Sequence, residues 1–539
     1  MKKIYLMAIA FLSLQACDNI LEKYPQTDIS LSTFWKTESD LQMATNALYN
    51  NLMNNHSETT DLQSDDYFGR SPNNVSSGTH SPSNTDGVWS DAYSTIRKAN
   101  DIIENADKAE VTEAVRDRYL AEAKFFRAYQ YAELIKRFGD VPLVLQTLDF
   151  DSPELTMGRT ARTEIIKVIT DDLAWAAEKL PSKQSLTVAE TGRITRGAVM
   201  ALLSRIGLYE GTLAKYHGTG DSQNLLQTAK NAAATVIAEK EFSLFDDFIG
   251  MFKEENEENP ETILRRFYKE TITGSAPRTR GIIIDANIAP TKYLADAFLC
   301  TDGLPIEYSD LFGGYNEIAS EFKNRDPRMS HTIWEPLTPF QGSSPQIPDL
   351  TFARTGYWPK KPGDITAVTV TFVYTDFILM RYAEVLLNYA EATYELSGSI
   401  SDADLDLSVN QLRKRVGMPN LTNAFVNGAN SKNARLNMLD EIRRERRTEL
   451  AGEGFRYDDL IRWKEAEKLL PRQILGCKFQ QSYYENTIPG KDVNLDKNGF
   501  IIVQTTDTRS FSDPKNYLFP LPLREIALNA NLKQNTGWD

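Results

Sequence analysis

The chain has 539 residues, of which 41% are hydrophobic, 10% aromatic and 25% charged; this fits a folded protein and excludes a mainly disordered one. Sixty lysines and arginines face 74 acidic residues, and the resulting net charge of −14 repels phosphate backbones, so no nucleic-acid partner is expected. Standard catalytic signatures are missing: there is no Walker-type phosphate loop, no HExxH and no GxSxG. The four histidines, His56, His80, His217 and His331, are scattered, so neither a metal nor a cofactor is expected.

In chain order, Lys2 and Lys3 precede an apolar run from Ile4 to Leu14 and then Gln15-Ala16-Cys17. A basic start, a short apolar stretch and a small residue before the cut make an export signal over residues 1–17, too short to remain as a spanning helix. A cysteine directly after the small residue resembles a bacterial lipobox, which predicts lipidation at Cys17 and a membrane anchor of more than one acyl chain. Residues 18–36, polar and interrupted by Pro25, read as a flexible tether. Cys300 and Cys477 then remain, enough for one bridge at most and not a disulfide scaffold.

The body, residues 37–539, reads as one mainly α-helical domain. Helical periodicity places helices near 38–53, 89–107 and 223–240. Val115-Tyr119-Ala123-Phe126, Ile166-Ile169-Leu173-Ala176-Leu180 and Val199-Leu202-Ile206-Tyr209 give further stripes, and Pro181 stops the second of these. The clearest stripe runs from Leu379 to Leu396, with Arg381, Glu384, Asn388, Glu391 and Glu395 on a separate polar side expected to be wet. More helices follow near 403–416, 438–451 and 456–469. Short links suggest antiparallel helix pairs over about 37–250 and 377–470. Segments 54–88 and 251–376 are loop-rich, 302–376 being dense in Pro, Gly and scattered aromatics, and 471–539 closes the chain. Asn498-Gly499 before Phe500-Ile501-Ile502-Val503 predicts a hairpin. Asn494, Asp496 and Asn498 mimic half a calcium loop, but Thr505 stands where the bidentate Glu belongs, which favours a plain turn.

Helix 438–451 carries Arg443-Arg444-Glu445-Arg446-Arg447. Arg446 and Glu449 fall on its apolar arc, where they are expected to pair partly buried. An anion site is the functional alternative to this structural network. Ile442 to Leu450 followed by Gly452-Glu453-Gly454-Phe455-Arg456-Tyr457-Asp458-Asp459-Leu460-Ile461-Arg462-Trp463 resembles the C-terminal signature of the SusD/RagB family of Bacteroidetes outer-membrane lipoproteins. Asp302-Gly303-Leu304-Pro305, Asn324-Arg325-Asp326-Pro327-Arg328, Thr355-Gly356-Tyr357, Arg381 to Ala392, Phe519-Pro520-Leu521-Pro522 and Asn535-Thr536-Gly537-Trp538 resemble other parts of it in order. The resemblance implies a scaffold of tetratricopeptide-like helix pairs and a cell-surface binder of glycans or other nutrients. It further implies a lid over a SusC-like TonB-dependent β-barrel transporter, and no hydrolase activity.

A sugar site needs a flat aromatic under the C–H face and fixed polar groups around the hydroxyl rim. In the first loop-rich segment Asp65, Asp66, Tyr67, Arg70 and Asn73, followed by Asn74 and His80, supply both. In the second, Tyr315, Trp334, Tyr357 and Trp358 are candidate platforms, whereas Trp89 reads as core. Two other functions stay open: a surface glycoside hydrolase, which needs two facing carboxylates, and a helical adaptor binding peptides in a groove.

Overall fold

A computed structural model describes residues 34–52, 60–268, 288–339, 345–361, 374–431 and 434–539. The export signal, Cys17 and most of the tether lie outside the described residues. Trp35, expected within the tether, is instead only 4% exposed and packs edge-on to Phe34 within the core.

The chain is mainly helical. The scaffold begins with α1 (Glu38–Asn46), α2 (Gly87–Asn105), α3 (Glu113–Phe138), α4 (Arg162–Lys179), α5 (Arg196–His217) and α6 (Ser222–Glu239), and continues with α7 (Tyr382–Ser397), α8 (Val409–Arg415), α9 (Met438–Glu449) and α10 (Arg456–Arg462). Helix starts follow local chemistry: Asp86, Thr112, Thr195 and Asp221 accept from backbone N–H groups of the first turns of α2, α3, α5 and α6. Neighbours stack in order, α2 on α3, α3 on α4, α5 on α6 and α6 on α7. Gly207 and Gly211 let α6 approach closely, since a Cβ at either would meet the α6 backbone at 2.9 Å.

Three expected helices are broken. Leu379 and Met380 belong to a strand, Phe377–Arg381, paired antiparallel with Thr262–Arg266, and α7 starts only after Arg381, whose backbone is extended. Ser408 interrupts 402–415, and Trp463-Lys464-Glu465 interrupt 456–469, with Lys464 at φ 57.

The strands among the described residues are short: β1 (Tyr67–Gly69), β2 (Thr262–Arg266), β3 (Ile288–Pro290), β4 (Ile333–Trp334), β5 (Trp358–Pro359), β6 (Phe377–Arg381), β7 (Ile474–Lys478), β8 (Asn494–Leu495) and β9 (Phe500–Gln504). They form antiparallel pairs β1–β3, β2–β6 and β4–β5 and a three-stranded sheet in the order β7-β9-β8. The expected hairpin is β8–β9; Gly499 turns at φ 83, and Asp496 Oδ1 accepts from the Asn498 and Phe500 N–H groups at 2.8 Å. The loop-rich half has its own core around Tyr67, Phe298, Met329, Trp334, Tyr357, Trp358 and Ile501, separate from the helical one. Gly356 joins it to β7: its φ is 74, and a Cβ there would stand 2.3 Å from Cys477 Sγ. Cys300 and Cys477 are both buried free thiols.

The polar side of α7 is buried, not wet. Glu384 takes Arg205 of α5, Asn388 takes Arg446 of α9, Glu391 takes Arg462 of α10, and Glu395 takes Lys215 and Arg443. The expected Arg446–Glu449 pair is replaced by longer-range partners. Arg446 donates to Asp459 at 2.9 Å, and Glu449 accepts from Arg381, Arg415 and Arg328. With Arg443 on Glu395, Arg444 on Glu441 and Arg447 on Asp66, each arginine of the run meets a carboxylate, as in a structural network.

One buried acid makes the fold pH-sensitive. Glu321 accepts from the Tyr357 hydroxyl at 2.9 Å, and burial pushes its carboxyl up to about 7 from 4.5. With the folded value above the unfolded one, its contribution is intact below about pH 4.5 and lost as pH rises through 7. Glu321→Gln is therefore expected to exceed the parent by about 3 kcal/mol at about pH 8 and to match it near pH 4. Urea denaturation at the two pH values checks this; a Gln variant less stable at the higher pH contradicts it.

Candidate functional site

The first loop-rich segment is bolted to the scaffold at its base. Asp65 accepts from Arg456 of α10 at 2.8 Å, and Asp66 from Arg447 of α9 at 2.9 Å. Burial alone would raise the Asp65 carboxyl; Arg456 and Arg447 outweigh it and hold it well below the usual carboxylate range. The two backbone carbonyls also accept from Thr291, at 2.7 Å from its hydroxyl and 2.8 Å from its N–H, so β1 is locked beside β3. Neither carboxylate is presented to a sugar, and this adjacent pair cannot act as the acid and base of a hydrolase.

Several other expected contacts prove to be core. Tyr67, Tyr357, Trp334 and Trp358 are all buried in the loop-side cluster, and the two tryptophans face each other across β4–β5. Their rings fill the space that the short strands leave, so no open face remains for stacking. Tyr315 is half-buried; its hydroxyl donates to Asp296 and accepts from Lys292, each at 2.9 Å, while its ring packs edge-on to Phe500. Asn73 shapes its own loop, its Oδ1 accepting from the Val75 and Ser76 N–H groups. His80 sits between Phe519 and Trp538, and burial with Arg137 nearby pulls it down to about 4. Trp89 is core, packed against Phe138, as expected.

Of the expected set, Asn74 and Arg70 stand exposed at the surface, Arg70 immediately after β1. Its guanidinium lies 5.0 Å from the ring centroid of Phe352, and Arg354 Nη1 donates to its carbonyl at 3.0 Å. Phe352 is 38% exposed, and sequence reasoning missed it. The segment beneath is a run of tight turns: Phe352 and Ala353 N–H donate to the Asp349 carbonyl, Gly356 N–H to that of Ala353, and Cys477 N–H to that of Thr355. Ala353 turns inward and is buried, so Phe352 and Arg354 on either side of it turn outward. The result is an aromatic ring with the Arg70 guanidinium over one face, and Arg354 tied to the Arg70 carbonyl, on a base of tight turns. Its apolar face suits sugar C–H groups, and the planar N–H forks suit neighbouring hydroxyls or a carboxylate.

Among the described residues, no group of three or more His, Cys, Asp or Glu is placed to hold a metal ion, and no helix is long and apolar enough to cross a membrane.

A family model described as the SusD family matches residues 268–538. A second, described as starch-binding associating with outer membrane, matches residues 20–208. A SusD-like protein of Formosa agariphila is 25% identical over 566 aligned positions, covering 96% of this chain and 95% of its own length. A SusD-like carbohydrate binding protein from Bacteroides fragilis superposes with a TM-score of 0.79 at 24% identity, over 93% of this chain and 100% of that one. A laminarin binding SusD-like protein superposes at 0.62 with 21% identity, over 93% and 100% of the two chains.

Proposed function

The chain belongs to the SusD family, and from that premise we propose that it binds glycans at the outer surface of the outer membrane without cleaving them. The observation that carries this reading is the exposed Phe352 ring beside Arg70 and Arg354 on the loop-rich face. An acylated Cys17, preceded by a 16-residue leader, would hold the body at the membrane, with the residues before Phe34 as its tether. The captured oligosaccharide would pass to a SusC-like TonB-dependent transporter, for which co-purification from outer membranes is the test. The glycan candidates are those named for the relatives, starch and laminarin.

Phe352→Ala and Arg70→Ala are each expected to weaken oligosaccharide binding about tenfold or more. Both positions are exposed, so unfolding free energy should stay within about 0.5 kcal/mol of the parent. Calorimetric titration with maltoheptaose and laminarihexaose reads the first, and urea denaturation the second. Binding unchanged in both variants would remove the platform from the site.

A further inference from the structure

Five of the twelve large apolar side chains that stand exposed among the described residues fall on two short segments. Leu145, Phe150 and Leu155 lie in the connection between α3 and α4, and Leu523 and Leu528 begin and end a six-residue helix near the C-terminus. Phe150 is fully exposed, and Leu528 is 70% exposed. Ser152 N–H donates to the Asp149 carbonyl and Leu155 N–H to that of Ser152, so Phe150 is carried on two successive tight turns. Gln146 Nε2 donates to Glu154 at 3.0 Å, which ties the chain at Leu145 to the chain at Leu155. Asn529 and Asn531, just past Leu528, donate to the Met157 and Thr156 carbonyls at 2.8 and 2.6 Å. The two segments thus form one face. Single exposed apolar residues are ordinary on a protein surface, whereas several on one face mark a contact.

This face adjoins the end of the body where the tether enters. Its first segment runs along α2: Asn100 donates to the Val144 and Gln146 carbonyls, Arg97 to that of Leu148 at 2.9 Å, and Thr147 to Glu104 at 2.7 and 2.6 Å. The tether meets the body just beyond, where Glu110 N–H donates to the Lys36 carbonyl at 2.9 Å. Glu110 lies roughly 10 Å further along the axis than Glu104. From Cys17 to Phe34 the chain spans at most about 60 Å even when fully extended. A folded body of this length is itself about 60 Å across, so faces near the end of α2 meet a bilayer with the least extension of the tether.

The charges select the occupant. Asp149 and Asp151 are both exposed and flank Phe150. A second copy of the chain would bring acid against acid, and an anionic headgroup would meet both these carboxylates and a net charge of −14. The ammonium of a zwitterionic headgroup suits them: the carboxylates meet it at the surface while the ring between them reaches the ends of the acyl chains. We propose that this patch is the membrane-facing surface of the anchored body, with Phe150 and Leu528 seated among zwitterionic phospholipid headgroups. The proposal rests on the reading of Cys17 as the anchor. The acyl chains supply the affinity, and the patch sets which way the body faces.

The test uses the mature chain from Cys17, coupled through that thiol to maleimide-bearing lipid in vesicles of dioleoylphosphatidylcholine and dioleoylphosphatidylethanolamine. Cys300 and Cys477 are buried and stay unreacted. Coupling replaces acylation, so the outcome is separate from whether Cys17 takes up labelled palmitate in cells. Phe150→Trp and Leu528→Trp each place an indole on the patch. Ile488→Trp places one at an exposed position on the loop that Tyr484 ties to Pro348. Each variant is read against the parent's own tryptophan emission. Lipids brominated high on the acyl chains are expected to quench about half of the emission added by Phe150→Trp or Leu528→Trp, and none of that added by Ile488→Trp. Circular dichroism identifies a variant that fails to fold, and the other patch variant then decides. Emission unquenched at both patch positions, as for a patch left in water or covered by a partner protein, overturns the proposal. So does equal quenching of Ile488→Trp.

Discussion

Arg381→Met is expected to unfold at a lower urea concentration than the parent, with a loss of about 3–5 kcal/mol of stability. Arg381 is fully buried where β6 runs into α7, and its guanidinium serves three carboxylates: Glu261 at 2.7 Å, Glu449 at 2.7 Å and Glu453 at 2.7 Å. It also donates to the Glu449 backbone carbonyl at 2.9 Å. Burial alone would raise the Glu449 carboxyl, but Arg415, Arg381 and Arg328 together hold it well below its usual range. Methionine keeps much of the volume and removes the charge, so buried anions lose a cation they cannot replace with water. The magnitude depends on that asymmetry, because exchanging a whole buried network for apolar residues can be neutral. A loss below about 1 kcal/mol would mean that water reaches these groups and that the network is not the clamp described.

Asp65→Asn is expected to lower stability by about 3 kcal/mol and to loosen the loop that carries Arg70. The carboxylate takes Arg456 at 2.8 Å, with Arg447 at 3.6 Å and Arg472 at 3.5 Å, and asparagine leaves these cations without their buried counter-charge. The effect has a definite pH signature. Because the folded value is held below the unfolded 3.8, the stabilisation is present above about pH 4 and lost as pH falls further. The parent and the Asn variant should therefore converge in acid and diverge toward neutrality. Hydrogen exchange should quicken at the β1–β3 amides in the variant, and an unchanged rate there would separate Asp65 from the positioning of Arg70.

The scaffold was legible because helices repeat every 3.6 residues, and stripes such as Val199-Leu202-Ile206-Tyr209 carry that period over several turns. The polar side of α7 misled for a related reason. Periodicity shows that Glu384, Asn388, Glu391 and Glu395 share a face, but not what lies opposite, and arginines of α5, α9 and α10 fill the place assumed to hold water. The breaks at Ser408 and Trp463-Lys464-Glu465 carry no proline to announce them.

The site was less legible. Irregular segments have no period, so an aromatic that stacks on a ligand and one that fills a core look alike in sequence. Trp334 and Trp358 are buried where β4 and β5 pair, a two-residue contact between positions 24 apart in sequence that neither strand signals on its own. Arg70 could be found because it ends a cluster of charged residues just before a polar loop. Phe352 had one usable signal, its place in Thr351-Phe352-Ala353-Arg354, where a small residue between two large ones marks the inward position.

The proposed capture of intact oligosaccharides on the loop-rich face is open to direct measurement. Its most direct test is to titrate the mature protein with maltoheptaose and laminarihexaose in a calorimeter and then chromatograph the recovered sugar. Saturable binding of at least one of them, abolished by combining Phe352→Ala with Arg70→Ala and leaving the sugar at its original length, is the predicted result. Shortened products, or binding indifferent to both substitutions, would contradict it.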